Sequence, residues 1–452
     1  MSRLRNKLKN RWYSWRLLLT CLSFAMVSVH VCASDLHNAK NTAQKTYAYP
    51  SEMAWVSSIQ GGGGGQILRV TNLQKEGPGS LRAAIETKGP RLIVFEVGGV
   101  IDLERSVLQI TEPNVTILGQ TAPTPGITLI RGGINIRASQ TIVQHLRVRT
   151  GVDGQTKASG WEVDGINVSA AHHVLIDHCS ISWAIDENMS ASGPRFKGDT
   201  PDDWRNGTSH HVLFSNNLAA EGLAEASHSK GEHSKGSLVH DNVTQIVFYR
   251  NIWAHNVERN PLLKGGVQAS VVNNLIYNPR AKAIHYNLMA LEWGEHAYQL
   301  GKLNVVGNVM RGGLSTKKGL PLMSLGGDGD LAYFEKDNIA VDQFGAPLPM
   351  LGRYGQTRAQ LLIKETPIDW PEGLQAIPAK DVETELLRYA GARPWDRDAD
   401  DIRILYFIAE GRGTIINDER EVSNYPKAKM VLAAFNEQDW DMINGIPKAA
   451  SQ

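Results

Sequence analysis

Short runs of β-branched and aliphatic residues, each closed by turn-forming residues, recur through the middle of this chain. They read RLIVFEV, NVTILG, QTIVQHLRV, HHVLIDHCSI, HHVLFSNNLA, TQIVFYRNIW, ASVVNNLIY and KLNVVGNVM, between about residues 91 and 310. Runs of this length and composition predict strands. With Val115, Ile142, Val174, Val212, Ile246, Val271 and Val305 taken as equivalent points, the unit returns every 25 to 38 residues. Only turn-like residues lie between, so the pattern predicts a solenoid rather than a sheet interleaved with helices. One such unit cannot bury its apolar face alone, and stacking makes a continuous core.

Asn217, Asn251, Asn274 and Asn308 each follow a β run and precede Leu, Ile or Val. Asn favours turns in general. Four at the same point of the repeat predict amides stacked and bonded from coil to coil. The expected fold class is all-β, a right-handed parallel β-helix over 61–340.

The flanks differ. Residues 34–60 form a polar segment, and GGGGGQILRV opens the helix at 61. No Lys-Ser/Thr follows those glycines, so they are read as a tight backbone turn rather than a phosphate loop. After about 340 the repeat ends, and 341–452 are read as an irregular, partly helical C-terminal tail packed on the β-helix. QTRAQLLIK and DVETELLRYAG there have helical spacing. Asp396-Arg-Asp398-Ala-Asp400 starts like a calcium loop but has Asp401 where Gly is needed and Phe407 where Glu is needed, so a solvated turn is expected.

Charge adds one feature. The chain has 452 residues, 47 basic against 46 acidic. Residues 1–33 contain Arg3, Arg5, Lys7, Lys9, Arg11 and Arg16 but no acid, then LLLTCLSFAMVSVHV and Val31-Cys32-Ala33. This reads as a secretory signal peptide, with an uncleaved anchor as the alternative. The remainder is acidic by about five charges and has no basic stripe, which excludes a nucleic-acid partner. Cys179 alone remains after cleavage, so no internal disulfide can form, and a buried structural thiol is expected.

Three stretches concentrate polar residues on consecutive units. WEVDGINVS carries Glu162 and Asp164, and IDHCSISWAIDENMS carries Asp177, His178, Asp186 and Glu187. HSKGSL and NVERNPLLKGG supply His233, Lys235, Arg259, Pro261 and Lys264. Alternate strand residues share a face, so Glu162 and Asp164 are expected to point the same way. Coils lie about 4.8 Å apart, so carboxylates one coil on can join them. Hard oxygen donors without cysteine suit calcium better than zinc, the alternative being an acidic solvent-facing edge. Asp177 and His178 sit where other coils carry stacking polar residues, which points to an internal role. Trp161, Trp183, Trp204 and Trp253 are either sugar platforms or core.

Residues 79–310 resemble the pectate lyase family of polysaccharide lyases, in particular its bacterial secreted branch. The resemblance rests on GSLRAAIE, NVTILGQTAP, VDGINVS, LIDHCSISWAIDENMS, EHSKGSL and NVERNPLLKGG in order, with AGARPWDRDADD in the tail. It implies a secreted, calcium-dependent enzyme that cleaves polygalacturonate by β-elimination, monomeric and without a membrane partner once processed. It further implies Arg259 as proton-abstracting base and Lys235 as a catalytic residue holding the substrate carboxylate. His233 and Lys264 join Lys235 in substrate binding, and Glu162, Asp164, Asp186 and Glu187 become metal ligands. Lys264 replaces the second arginine of the family's Arg-x-Pro-x-x-Arg motif. Ser190 and Ala191 stand where many relatives repeat a carboxylate, leaving the third and fourth calcium ligands open.

Arginine is a poor base at neutral pH. Crowding by Lys235, Lys264 and calcium is expected to lower the pKa of Arg259, with an alkaline optimum. Against this stand a salt-bridging role for Arg259 with Glu258 or another acid, a β-helix hydrolase, a non-catalytic glycan binder on the same scaffold, and a lyase for another uronan.

Overall fold

The computed structural model describes residues 51–442 and 446–448. The expected signal peptide and the polar segment up to residue 50 lie outside the described residues. Each coil contributes one short strand to each of three sheets, as in Val115–Leu118, Ile127–Ile130 and Ile134–Ile136. The next coil adds Thr141–Gln144, Arg147–Arg149 and Ile166–Ser169, each pairing in parallel with the strand below. Sheets I, II and III, in that chain order, contain 11, 10 and 9 strands among the described residues. This is the expected parallel β-helix.

Inward residues such as Val115, Val143, Val174, Phe214, Phe248, Val271 and Val305 fill one continuous core. The outer face of sheet I is apolar too, because Met53, Val56, Ile59 and Leu374 cover Ile142, Leu175, Leu213 and Val247. Strands buried on both faces carry no alternation to mark the inward side. The equivalences assumed from sequence therefore slip. Val115 pairs with Thr141 rather than Ile142, and Val271 lies opposite Phe248 rather than Ile246.

The asparagine stack forms at the corner between sheets I and II. His178, Asn216, Arg250 and Asn273 turn that corner with φ of 49°, 52°, 57° and 53°. The next residue is the ladder position. Asn217 Nδ2 donates to Asn251 Oδ1 at 3.0 Å, Asn251 to Asn274 at 3.0 Å, and Asn274 to Asn308 at 2.9 Å. Asn308 donates to Asn338 at 3.2 Å, extending the ladder by a rung. Each amide also bonds a carbonyl of the preceding coil, so these buried polar groups are paired within the corner. Cys179 takes the ladder position one coil earlier, where its backbone N–H donates to Asn217 Oδ1 at 2.8 Å. Burial pushes its thiol up to about 12, consistent with a structural role.

Helix Leu81–Glu86, capped by Ser80, buries Leu81, Ala84 and Ile85 in the main core near its first coils. The glycine run packs backbone on backbone as expected: a Cβ at Gly62 would sit 1.8 Å from Arg91 O, and one at Gly65 2.0 Å from Pro90 O. At the other end, coils continue beyond residue 340. Leu351–Arg353 pairs with Met323–Leu325, and Leu361–Ile363 with Leu331–Tyr333. QTRAQLLIK, read as helical, thus supplies a strand, because a sheet edge was available to pair it. DVETELLRYAG does lie in a helix, Ala379–Tyr389. Together with helix Ala399–Ala409 it lays Val382, Leu386, Ile404 and Ile408 on Leu218, Ile252 and Leu275 of sheet II.

The acidic run at 396–401 is not a solvated turn. Arg147 and Arg149, both fully buried on sheet II, face it. Arg149 lies 2.6 Å from Asp401 and 3.3 Å from Asp398, and Arg147 3.4 Å from Asp398. Cations on a sheet face can be covered only by a segment that brings counter-charges. Among the described residues no helix is long and apolar enough to cross a membrane.

Asn251→Ala removes the acceptor for both the backbone N–H and the amide of Asn217. It is expected to cost about 3 kcal/mol, since a buried donor left unpaired costs roughly 1–3 kcal/mol. The midpoint of guanidinium unfolding measures this, and a shift worth less than about 1 kcal/mol would deny the ladder its role.

Candidate active site

The polar residues singled out from sequence fall mainly in one column. They lie in the loops leading from sheet II to sheet III or at the first positions of sheet III strands. Trp183, Glu221, His255 and Asn278 start successive loops with φ of 63°, 53°, 56° and 51°. The loops vary in length, yet they return to sheet III in register. Glu187 pairs with Lys235, and Lys235 is bridged to Glu258. Three charges of alternating sign thus stand on successive coils, about 4.8 Å apart.

Asp164, Asp186 and Glu187 bring carboxylate oxygens within 4.8 Å of one another. The Glu187 backbone N–H donates to Asp164 Oδ1 at 3.0 Å, and Ser190 Oγ to Asp164 Oδ2 at 2.7 Å. Ser190 therefore orients a carboxylate at a place where many relatives add one, while Ala191 packs in the core. Burial and the charge of Asp186 push Asp164 up to about 6. Burial and Asp164 likewise push Glu187 well up. Burial acts the same way on Asp186, but His233 holds it down overall. Crowded carboxylates that resist ionising fit a divalent cation, and an all-oxygen set fits a hard one such as calcium.

Glu162 does not join them. Residues 161–164 precede the strand Ile166–Ser169, so strand alternation does not apply there. Glu162 Oε1 accepts from the Ser229 N–H at 2.7 Å, and Oε2 lies 3.5 Å from His228 Nε2. His233, expected at the substrate, is 4% exposed. Its Nε2 lies 2.8 Å from Asp186 Oδ1, and its ring stacks on His228 at 3.5 Å. His228 Nδ1 accepts from the Lys230 N–H at 3.1 Å, which leaves the hydrogen on Nε2, facing Glu162 and Asp186. His233 thus hydrogen-bonds the back of the acidic group, with His228 stacked against it.

Arg259, at φ 63°, bonds Glu187 Oε1 through a terminal guanidinium nitrogen. Burial disfavours its charge, but Glu187, Asp186 and Glu258 outweigh burial and raise its pKa. Of the expected crowding by Lys235, Lys264 and calcium, the two lysines do not lower it: the acids prevail, and each lysine has an acid partner of its own. Lys235 Nζ lies 2.8 Å from Glu258 Oε1, and Lys264 pairs with Glu292. Lys282 pairs with the other oxygen of Glu258. Burial works against that charge, yet His285 and the two lysines hold the Glu258 carboxyl far down.

Sequence reading weighed Glu258 only as a partner for Arg259, and passed over Lys282 and Glu292. Adjacency to Arg259 was a signal for Glu258, whereas Lys282 emerges only from coil register. Asp177 is internal, as expected: its carboxylate accepts from Ser215 at 2.7 Å and contacts His178 Nδ1 at 2.8 Å. Trp183, Trp204 and Trp253 are buried, and Trp161 is half-buried with its indole N–H donating to Gly151 O.

A family model described as pectate lyase matches residues 104–309. The probable pectate lyase C of Emericella nidulans is 34% identical over 232 residues, covering 51% of this chain and 48% of that protein. This chain therefore matches about half the length of that relative. The probable pectate lyase C of Aspergillus oryzae is 28% identical over 401 residues, 86% of this chain and 83% of that protein. Both relatives are fungal, whereas the sequence resemblance pointed to a bacterial branch.

Among solved structures, jun a 1, the major allergen from cedar pollen, aligns at TM-score 0.50 and 18% identity over 75% of this chain and 92% of that one. A Bacillus subtilis pectate lyase aligns at TM-score 0.50 and 12% identity over 79% and 99%. At such identities the likeness speaks for the fold.

Calcium added to chelator-treated protein is expected to raise Tm, and Asp164→Asn and Glu187→Gln to weaken calcium binding roughly tenfold or more, about 1.4 kcal/mol. Titration calorimetry reads the affinity, and unchanged binding in both variants would remove the carboxylate site.

Proposed function

We infer that this chain belongs to the pectate lyase family, and from that premise we propose a calcium-dependent pectate lyase that cuts de-esterified polygalacturonate by β-elimination. The segment at residues 1–33 supports its secretion. The observation that carries the reading is the meeting of Arg259, Lys235 and the group Asp164, Asp186 and Glu187 along one edge of sheet III. That set answers a particular chemical difficulty. Taking the C5 proton from a uronate builds negative charge beside a carboxylate that is already negative, so the reaction needs fixed positive charge there. Calcium held by Asp164, Asp186 and Glu187 would supply it, neutralising the uronate and stabilising the charge that develops.

The chain's own residues do the rest. Lys235, buried and oriented by Glu258, offers an ammonium to the sugar carboxylate. Arg259 turns from Glu187 to the substrate and accepts the C5 proton. The C5–H electron pair becomes the C4–C5 double bond, the C4–O bond breaks, and the departing oxygen takes a proton from solvent, to which Arg259 later returns the C5 proton. No water is consumed. Glu187 and Glu258 raise the Arg259 pKa, so the fraction of base is small at neutrality and the rate rises with pH above it.

The test is polygalacturonate with calcium or with chelator, following the ultraviolet absorbance of the unsaturated product. Activity should require calcium and climb toward alkaline pH. Arg259→Ala should abolish it, lowering kcat by about 10³ or more, with circular dichroism and Tm retained. Undiminished activity in that variant removes the base assignment. Saturated products would mean a hydrolase, and binding without turnover a glycan-binding protein.

A further inference from the structure

Lys264 lies at the far end of strand Leu262–Lys264 from Arg259, five residues away and so at most roughly 17 Å along the chain. It belongs to a second charge cluster. Arg195, in the loop after strand Glu187–Ser192, directs Nε to Asp241 at 2.9 Å. Its NH2 lies 3.5 Å from the Glu292 carboxylate, the same oxygen that Lys264 Nζ meets. Two cations therefore converge on one carboxylate oxygen.

The two acids of this cluster are held differently. Asp241 is fully buried, and the Trp293 indole N–H at 2.7 Å and the Gly265 N–H at 3.0 Å also bind it. It is part of the framework that fixes Arg195. Glu292 is 32% exposed and sits in the short helix Ala290–Trp293, beside Leu291, which is 92% exposed. Among the described residues its side-chain oxygens meet only these two cations. A partly exposed pair of this kind is weakly held, and a rotamer change swings its carboxylate into solvent. Lys264 is only 8% exposed while that carboxylate stands over it.

We propose that Arg195 joins Lys264 in a second carboxylate-binding subsite, and that Glu292 occupies it as an internal stand-in which a uronate carboxylate displaces. This rests on the reading of the chain as a uronan-binding enzyme. Carboxylate replaces carboxylate, so the two cations stay paired throughout and the exchange leaves no buried charge unsatisfied. Arg195, held by Asp241 through Nε and donating from NH1 to the Glu292 carbonyl at 3.3 Å, directs NH2 to the carboxylate position, a role absent from the sequence reading. A sugar whose carboxyl is methyl-esterified cannot displace Glu292, so the device favours de-esterified chain at this position.

The experiment measures binding of oligogalacturonate to the full chain in chelator by calorimetry. Glu292→Gln should tighten binding about three- to tenfold, and Arg195→Met and Lys264→Met should each weaken it by at least that factor. In the Lys264→Met background, Glu292→Gln should give no gain, because the vacated place no longer attracts a carboxylate. Methyl-esterified oligomer should gain nothing from Glu292→Gln in either background. Unchanged or weaker binding in Glu292→Gln, or a gain that persists without Lys264, overturns the proposal while leaving the lyase reading intact. No binding of oligogalacturonate by the wild-type chain in chelator overturns the subsite alone, since the lyase reading is tested with calcium present.

Discussion

The structure depends on one repeated constraint, a parallel backbone ladder that advances about 4.8 Å per coil and cannot drift. The asparagine stack at the corner between sheets I and II enforces it, since each buried amide bonds both neighbouring coils. A slipped register would leave several of these groups unpaired in an apolar surrounding, which is far costlier than the bonds are worth when made. With the pitch held, residues separated by dozens of positions stand in straight columns. Glu187, Lys235 and Glu258 are such a column.

Alternation of sign along that column lets it be buried. Glu258 sits between Lys235 and Lys282, and Arg259 reaches back to Glu187. What is left over is acidic. Asp164, Asp186 and Glu187 share one arginine and two histidines, and the upward push on Asp164 and Glu187 expresses an unmet demand for positive charge. The same carboxylates raise the pKa of Arg259, so the acidic excess and the charge of the arginine are coupled at this edge of sheet III. Ser190, lacking a charge of its own, contributes by orienting Asp164.

Coverage of the other two faces follows the same rule that buried charge must be matched. Arg147 and Arg149 make the outer face of sheet II unsuitable for a purely apolar cover, and the tail answers with Asp398 and Asp401 at the start of its second helix. Sheet I instead meets apolar residues from 51–60 and 368–374, so its strands are hydrophobic on both sides. That double burial explains why Ile142, chosen as an equivalent point, lies on the outer face one place from the inward Val143.

Sequence by itself determined the architecture, because recurring β-branched runs and in-step asparagines have few physical outlets other than stacked coils. It also identified most of the charged residues at the site, since such groups are too costly to bury idly. It could not assign their partners. Glu162 and Asp164 are two residues apart yet point to different neighbours, because the backbone there is not a strand. Lys235 and Lys264 were both set beside Arg259, but one serves Glu258 and the other Glu292. The last coils and the buried acidic run of the tail were likewise invisible, for pairing depends on which edges and counter-charges lie within a few ångströms. Those distances exist only once the coils have stacked.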